Sequence, residues 1–430
     1  MSVLAIKGGA KADNREMGDL FTWPIVTRED EDAVLEVLRR GAMSSLDVTF
    51  KFEEEMGKWL EVPHTLAVCN GTAGLLAAMW ACGVGAGDEI ICPSVTYWAS
   101  ALPALNLGAA INFCDIDPQT LCLDPNDLEH RIGPRTKAIV VVHYCGHPAD
   151  MDPIMAIARR HGVKVIEDVS HAQGGLYRGQ MTGTIGDISV MSLMAGKSFA
   201  IGEGGLIATR NKSLWERCVA FGHYERTGAS TAWGGKSKTL SDPSVSPFAG
   251  LPIFGAKHRI NQTCSAMGRV QLKHYPARIA EIQRAMNRFW DLLEGVPGVL
   301  AHRPSGSSGS TMGGWYASKG LYRAEELGGL SCQKFCEAVT AEGCTITPGS
   351  NAPLHLHSVL HTADLFHMGK PTMVSFGQRD VRQGPGTLPV SERIKDICYS
   401  IPWFKKDRPA DIEYYARMFR KVAEHADELM

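Results

Sequence analysis

Between about residues 65 and 210 the chain alternates short runs rich in Val and Ile with segments of helical pattern, and this alternation constrains the fold more than any other feature. The runs EIIC (89–92), AINFC (110–114), AIVVV (138–142), VKVIE (163–167), DISVMS (187–192) and GLIAT (205–209) are the candidate strands, short and mostly apolar. Strands of that kind are covered on both faces, as in parallel sheets with helices packed above and below. The intervening segments carry helix start signals: Asn70-Gly71-Thr72 before AGLLAAMWACG, Thr96 before YWASALPALNLG, Asp124-Pro125 before NDLEHRI, and Asp150 before MDPIMAIARRHG. The pattern predicts a doubly wound α/β unit around a mostly parallel sheet.

Beyond residue 210 the pattern changes. Thr227 to Leu251 is rich in Ser, Gly and Pro and reads as a long irregular loop. Ile279, Ile282, Met286, Phe289 and Leu293 then recur at helical spacing, giving one amphipathic helix that ends near Gly295-Val296-Pro297-Gly298. A strand-like GGWYASKGLYR follows, then a helix from Ser331, the loop NAPLHLHSVLH, and a final helix with Ile412, Tyr415, Phe419 and Val422 on one face. With 430 residues and 44% hydrophobic content, the chain is expected to divide in two. Residues 1–255 form a large α/β domain with the N-terminal segment, and residues 256–430 supply a linking helix and a smaller C-terminal α+β domain.

A formal net charge of −2 and the lack of a concentrated Lys/Arg stripe argue against nucleic acid or anionic membrane as partners. No run of about 18 apolar residues occurs, and MSVLAIKGGAKADN lacks the pattern of a secretory signal. The 12 cysteines are scattered without a CxxC pair, several inside apolar runs, as reduced thiols in a cytoplasm would be.

The chemistry gathers around Lys197, in MSLMAGKSFAIGEGG, and Asp168, at the end of VKVIED. An amine that can hold an aldehyde cofactor and a carboxylate that can tune its ring nitrogen form a recognisable pair. Asn70-Gly71-Thr72 is either a turn with a cap or a phosphate-facing helix start. Tyr97 and Trp98 follow a strand's carboxyl end, where they are either core aromatics or a plane for a cofactor ring. His171 is either a capping histidine or a neighbour of such a ring. Ser192 supplies a hydroxyl close to Lys197, and Gly202-Glu203-Gly204-Gly205 makes a tight turn into the next strand.

The ordered set NGTAG, PSVTYWAS, HYCGHPADMD, IEDVSHAQGGLYRG, SLMAGK and GEGG closely resembles the DegT/StrS family of sugar aminotransferases, together with WPIVTREDEDAVLEVLRRG and LPVSERIKDICYSIPWF near the two ends. The resemblance covers nearly the whole chain and implies a fold-type-I aminotransferase dependent on pyridoxal 5′-phosphate. Carried over by position, it makes Lys197 the Schiff-base lysine and proton shuttle, Asp168 the partner of the pyridinium nitrogen, and His171 the neighbour of the cofactor's O3′. It makes Tyr97 the stacking ring and Gly71, Thr72 and Ser192 phosphate contacts. The implied reaction moves an amino group from glutamate or glutamine to an oxo group of a sugar or cyclitol, in a homodimer with a shared active site. A lyase or decarboxylase on the same fold, and a regulatory protein that binds the cofactor without turnover, are the alternatives.

The sequence also departs from the family. Where many members read G-x-N-x-R, with the asparagine reaching the neighbouring subunit's phosphate, this chain has Gly255-Ala256-Lys257-His258-Arg259, so Lys257 becomes the candidate for that contact. Met194 stands where some relatives carry His, a change expected to alter the acceptor pocket rather than the core chemistry. His355 and His357, in PLHLH, and His223, in AFGHYERTG, are candidate substrate contacts. No Cys or carboxylate completes a metal site with His355, His357 and His361. The acceptor stays open among nucleotide sugars, sugar phosphates, free ketoses and inososes.

Overall fold

The computed structural model describes residues 3–11, 17–227, 240–251 and 253–430. Residues 228–239 of the Ser/Gly/Pro-rich loop therefore lie outside the described residues. A seven-stranded sheet fills the centre of the first part of the chain. Its strands are β1 (His64–Val68), β2 (Glu89–Pro93), β3 (Ala110–Cys114), β4 (Thr136–Val142), β5 (Lys164–Asp168), β8 (Ile188–Ser192) and β9 (Gly205–Thr209), with the hairpin β6 (Leu176–Tyr177) and β7 (Gln180–Met181) outside it. The order is β1-β9-β8-β5-β4-β2-β3, and β9 alone runs against its neighbours. β2 and β3 are buried at every position, which is why their sequences are continuously apolar.

Parallel pairing puts Val142 beside Asp168 and Asp168 beside Val190, so β4, β5 and β8 end on one edge of the sheet. β1, antiparallel to β9 as β8 is, ends there too and hands the chain to helix Gly71–Ala81 at Asn70. Asn70 accepts the Ala73 N–H at 2.8 Å, as a helix cap does. The Asp124 and Ser331 signals also start helices, at Pro125 and Cys332. The segment after Thr96 departs from expectation: it breaks into a 3₁₀ turn, Trp98–Ser100, and one short helix, Pro103–Asn106.

A second core forms around the antiparallel sheet of β10 (Val299–Ala301), β11 (Lys319–Tyr322) and β12 (Cys398–Ser400), with helices Cys332–Glu342 and Pro409–Glu424. Phe289, Phe335, Tyr399, Phe404 and Phe419 fill it. The 31-residue helix Gln262–Leu292 joins the two cores: Tyr275 packs below the large sheet, while Ile282, Met286 and Phe289 enter the second core. GGWYASKGLYR is a strand only from Lys319, because Gly313, Trp315 and Ala317 take left-handed φ values of 60°, 56° and 55°.

Two segments cross the 255/256 boundary drawn from sequence. Leu4 and Leu20 pack in the second core, and Ala5 donates its N–H to Glu342. Conversely, Leu360, Met373, Val381 and Leu388 join the core of the large sheet. There Gln383 covers edge strand β3, accepting the Phe113 N–H and donating to the Phe113 carbonyl, both at 2.8 Å. All 12 cysteines are free, and among the described residues no helix is long and apolar enough to cross a membrane.

Because Gln383→Ala leaves both Phe113 groups unpaired in a buried place, it should cost about 2–4 kcal/mol. Chemical denaturation monitored by far-UV circular dichroism should show the midpoint falling with an unchanged slope. An unchanged midpoint would mean that solvent replaces the side chain without cost.

Candidate active site

The strand ends enclose a cavity of about 460 Å³ lined by Gly71, Thr72, Tyr97, Asp168, His171, Ser192 and Lys197 among others. The seven residues expected to hold the cofactor within one chain thus meet in one place. The helix that starts at Gly71 approaches β8 so closely that a Cβ on Gly71 would lie 2.8 Å from the Ser192 Cβ. Only glycine permits this contact. Within the first turn, Asn70 already engages the N–H groups of Ala73 and Gly74. Gly71 and Thr72 thus bring the remaining first-turn donors to the cavity wall, a favourable setting for an anion.

Asp168 is buried, and its carboxylate accepts from the Ser100 hydroxyl at 2.8 Å and the Ser170 N–H at 3.1 Å. Thr96 supports Ser100 at 3.0 Å. Among the described residues Asp168 forms no ion pair, so a buried carboxylate faces the cavity without a cation. A protonated ring nitrogen would supply one. His171 accepts the Cys145 N–H on Nδ1 at 3.3 Å, which assigns the proton of the neutral ring to Nε2. Burial, and then the nearby Lys197 charge, hold its pKa well below the usual imidazole value. A neutral Nε2–H is the right partner for a phenolic oxygen.

Lys197 lies in the turn between β8 and β9. Its N–H bonds to the Met194 carbonyl at 2.8 Å, and its carbonyl accepts from Trp23 Nε1, also at 2.8 Å. The next residue, Ser198, is clamped by Gln173 at 2.6 Å and Tyr275 at 2.9 Å. Burial lowers the amine's pKa to about 8, against the opposing attraction of Asp168. The amine rests 4.1 Å above the centre of the Tyr316 ring, which also packs on His171 at 4.8 Å. Tyr97 is 46% exposed, so its ring has a free face.

Other candidates lie elsewhere. His223 is buried and its Nε2 contacts the Ala67 carbonyl at 3.1 Å. His355 is also buried: Nδ1 meets the Ser94 hydroxyl at 2.7 Å and Nε2 meets Glu392 at 3.2 Å, so the ring ties the PLHLH loop to the end of β2. His357 is exposed and accepts the Val359 N–H, capping its own helix. None of the three lines the cavity. Lys257 is exposed and outside this chain's cavity. Among the described residues no group of His, Cys, Asp or Glu is arranged to hold a metal.

Ser100, Tyr316 and Asn351 also line the cavity, Trp23 holds the Lys197 backbone, and Glu203, expected only as part of a turn, joins them. Ser100 sits within PSVTYWAS and Trp23 begins WPIVT, motifs that carry the family resemblance without marking these residues. Tyr316 was hidden in a segment read as a strand.

A family model described as the DegT/DnrJ/EryC1/StrS aminotransferase family matches residues 24–417. The chain belongs to that family. An L-glutamine:2-deoxy-scyllo-inosose aminotransferase from Streptoalloteichus tenebrarius is 31% identical, over 99% of each chain. A GDP-perosamine synthase from Caulobacter vibrioides is 35% identical over 61% of this chain and 67% of its own length. Among solved structures, the aminotransferase from Psychrobacter cryohalolentis superposes with a TM-score of 0.79 at 25% identity, covering 94% of this chain and 99% of that one. The protein is an aminotransferase of fold type I.

A lowered lysine pKa means that the neutral, nucleophilic form dominates above about pH 8 instead of above 10.5. Mass spectrometry of the cofactor-free aminotransferase treated with a small amine-selective electrophile should give a labelling midpoint near 8 at Lys197. A midpoint at the value of surface lysines would refute the desolvated setting.

Proposed function

We propose that this aminotransferase uses pyridoxal 5′-phosphate to move an amino group from glutamate or glutamine to an oxo group of a sugar or cyclitol. The observation that carries the reading is one cavity joining a desolvated lysine, a buried carboxylate without a cation, a neutral imidazole and a helix start facing an anion position. These donors match the cofactor's aldehyde, ring nitrogen, phenolic oxygen and phosphate one for one. The relatives named for inosose and perosamine chemistry support an oxo group on a polyhydroxylated ring as acceptor.

When bound, pyridoxal phosphate supplies an electron sink for the carbanion formed at the donor's α-carbon. The residues do the rest. Asp168, aimed by Ser100 and Ser170, would keep the ring nitrogen protonated. His171 would offer Nε2–H to the phenolic oxygen, and Tyr97 would lie against the ring. Lys197 Nζ would hold the aldehyde, and its free amine would take up the donor's α-proton and give it back. Its pKa near 8 keeps a neutral fraction available for that transfer near neutrality.

The cavity also has a charge deficit. Lys197 is its only basic side chain among the described residues, yet a phosphate and a donor carboxylate must both be accommodated. A homodimer in which Lys257 of a second copy reaches the phosphate would supply a further cation. In this reading the large and small domains divide near residues 255/256, with the N-terminal segment and Leu360 to Leu388 crossing over, and free thiols suit a reducing cytoplasm.

Adding glutamine or glutamate to the purified yellow enzyme should convert its absorbance to that of the aminated cofactor and release a 2-oxo acid. No conversion with any amino donor would refute the reading. Lys197→Ala should lower turnover by at least about a thousandfold while binding cofactor. Exposing the aminated enzyme to nucleotide sugars, sugar phosphates, free ketoses and inososes identifies the acceptor by the return of the original absorbance.

A further inference from the structure

Another buried lysine, Lys405, connects to Lys197 through the aromatic side chains around Tyr316. Tyr316 meets Trp403 edge-on, at 5.8 Å and 89°. Trp403 donates Nε1–H to the Gly314 carbonyl at 2.9 Å, which anchors the strained turn that carries Tyr316. Over the face of Trp403, 3.1 Å from its centre, is the Nζ of Lys405, which also donates to the Trp403 carbonyl at 2.9 Å. Trp403 packs at 5.7 Å against Trp23, the residue that donates to the Lys197 carbonyl. Two routes therefore run from Lys405 to Lys197, one to the amine through Trp403 and Tyr316, the other to the backbone through Trp23.

Lys405 is a costly residue for this place. It is 4% exposed and forms no ion pair among the described residues. The desolvation cost of an ammonium buried without a carboxylate exceeds what a cation–aromatic contact recovers. Burial pushes its pKa down to about 6, and no charged group among the described residues perturbs it. In either charge state its N–H groups bond to the indole face and the carbonyl. A methionine would fill the same volume without that cost, but it could not make those bonds.

We propose that Lys405 is a positioning residue for Lys197, its N–H groups locking Trp403 and Trp23 so that Tyr316 and the Lys197 backbone hold the amine in its dry, reactive place. The assignment rests on Lys197 being the reacting amine. The groups facing that amine are Asp168, the Cys145 thiol, His171 and the Tyr316 ring. Loosening the aromatic frame admits water to the amine, so its pKa should rise toward the ordinary lysine value.

Lys405→Met tests this in the cofactor-free protein by the Lys197 labelling midpoint from about pH 6 to about pH 10. The midpoint should move up from near 8 by about one unit, which slows labelling at pH 7.5 about eightfold. In the loaded enzyme kcat should fall about tenfold with the donor KM within about twofold. The melting temperature should hold or rise, because the desolvation cost of a buried amine has gone. A lower melting temperature with an unmoved midpoint and kcat would mark Lys405 as merely structural and overturn the proposal. Trp403→Phe keeps the ring and removes the bond to Gly314, and should shift the midpoint the same way. If Lys405→Met does not fold, that variant decides, and an unmoved midpoint there overturns the proposal. The labelling readout is independent of transamination, so a wild-type enzyme that fails to exchange amines would refute the functional reading and leave this measurement valid.

Discussion

Parallel pairing of β5 with β8 sets Asp168 beside Val190 and brings the ends of the two strands within two residues of each other, and the rest of the site depends on this alignment. From this edge the chain leaves β5 into His171, β8 into the Lys197 turn and β1 into the helix at Gly71. Each exit supplies one kind of group: carboxylate and imidazole, amine, and helix-start donors. The antiparallel insertion of β9 lets β1 lie near β8 without a crossover, which is how Gly71 comes to touch Ser192. Open α/β sheets place ligands at such edges because backbone groups there have no strand to pair with.

The alignment creates a conflict of solvation that the side chains only partly settle. Asp168 gives up water for two hydrogen bonds and no cation, and Lys197 gives up water for an aromatic face. Each buried group alone would be destabilising. Together they attract, which is why Asp168 pulls the Lys197 pKa upward while burial pulls it further down. Burial dominates, so the amine is reactive near neutral pH. A site built for stability alone would have paired the two directly.

Much of this was legible in the sequence, for identifiable reasons. Strands such as AINFC and GLIAT were readable to the residue because sheets buried on both faces demand uninterrupted apolar runs. Asn70, Asp124 and Ser331 were readable as caps because their side chains bond the first-turn N–H groups locally. The spaced motifs brought together Lys197, Asp168, His171, Tyr97, Thr72, Gly71 and Ser192. What stayed hidden depends on contacts between distant parts of the chain. Ser100 and Asp168, Trp23 and Lys197, and Tyr316 and Lys197 each meet only after folding. His355 misled for the same reason: Ser94 and Glu392 claim both its nitrogens, and neither is near it in sequence.

Met194 shows how a departure from the family acts through geometry rather than charge. Its thioether sulfur accepts the Gly196 N–H at 2.9 Å, folding the side chain back over the turn that presents Lys197. An imidazole at this position would offer the acceptor a hydrogen bond; the thioether offers an adaptable apolar surface. At this one position the cavity wall is apolar, and Lys197 is the only lysine or arginine that lines the cavity among the described residues. The same chain that commits its buried groups to holding Lys197 in place keeps exposed polar side chains, Glu203 and Asn351, on the wall of the same cavity.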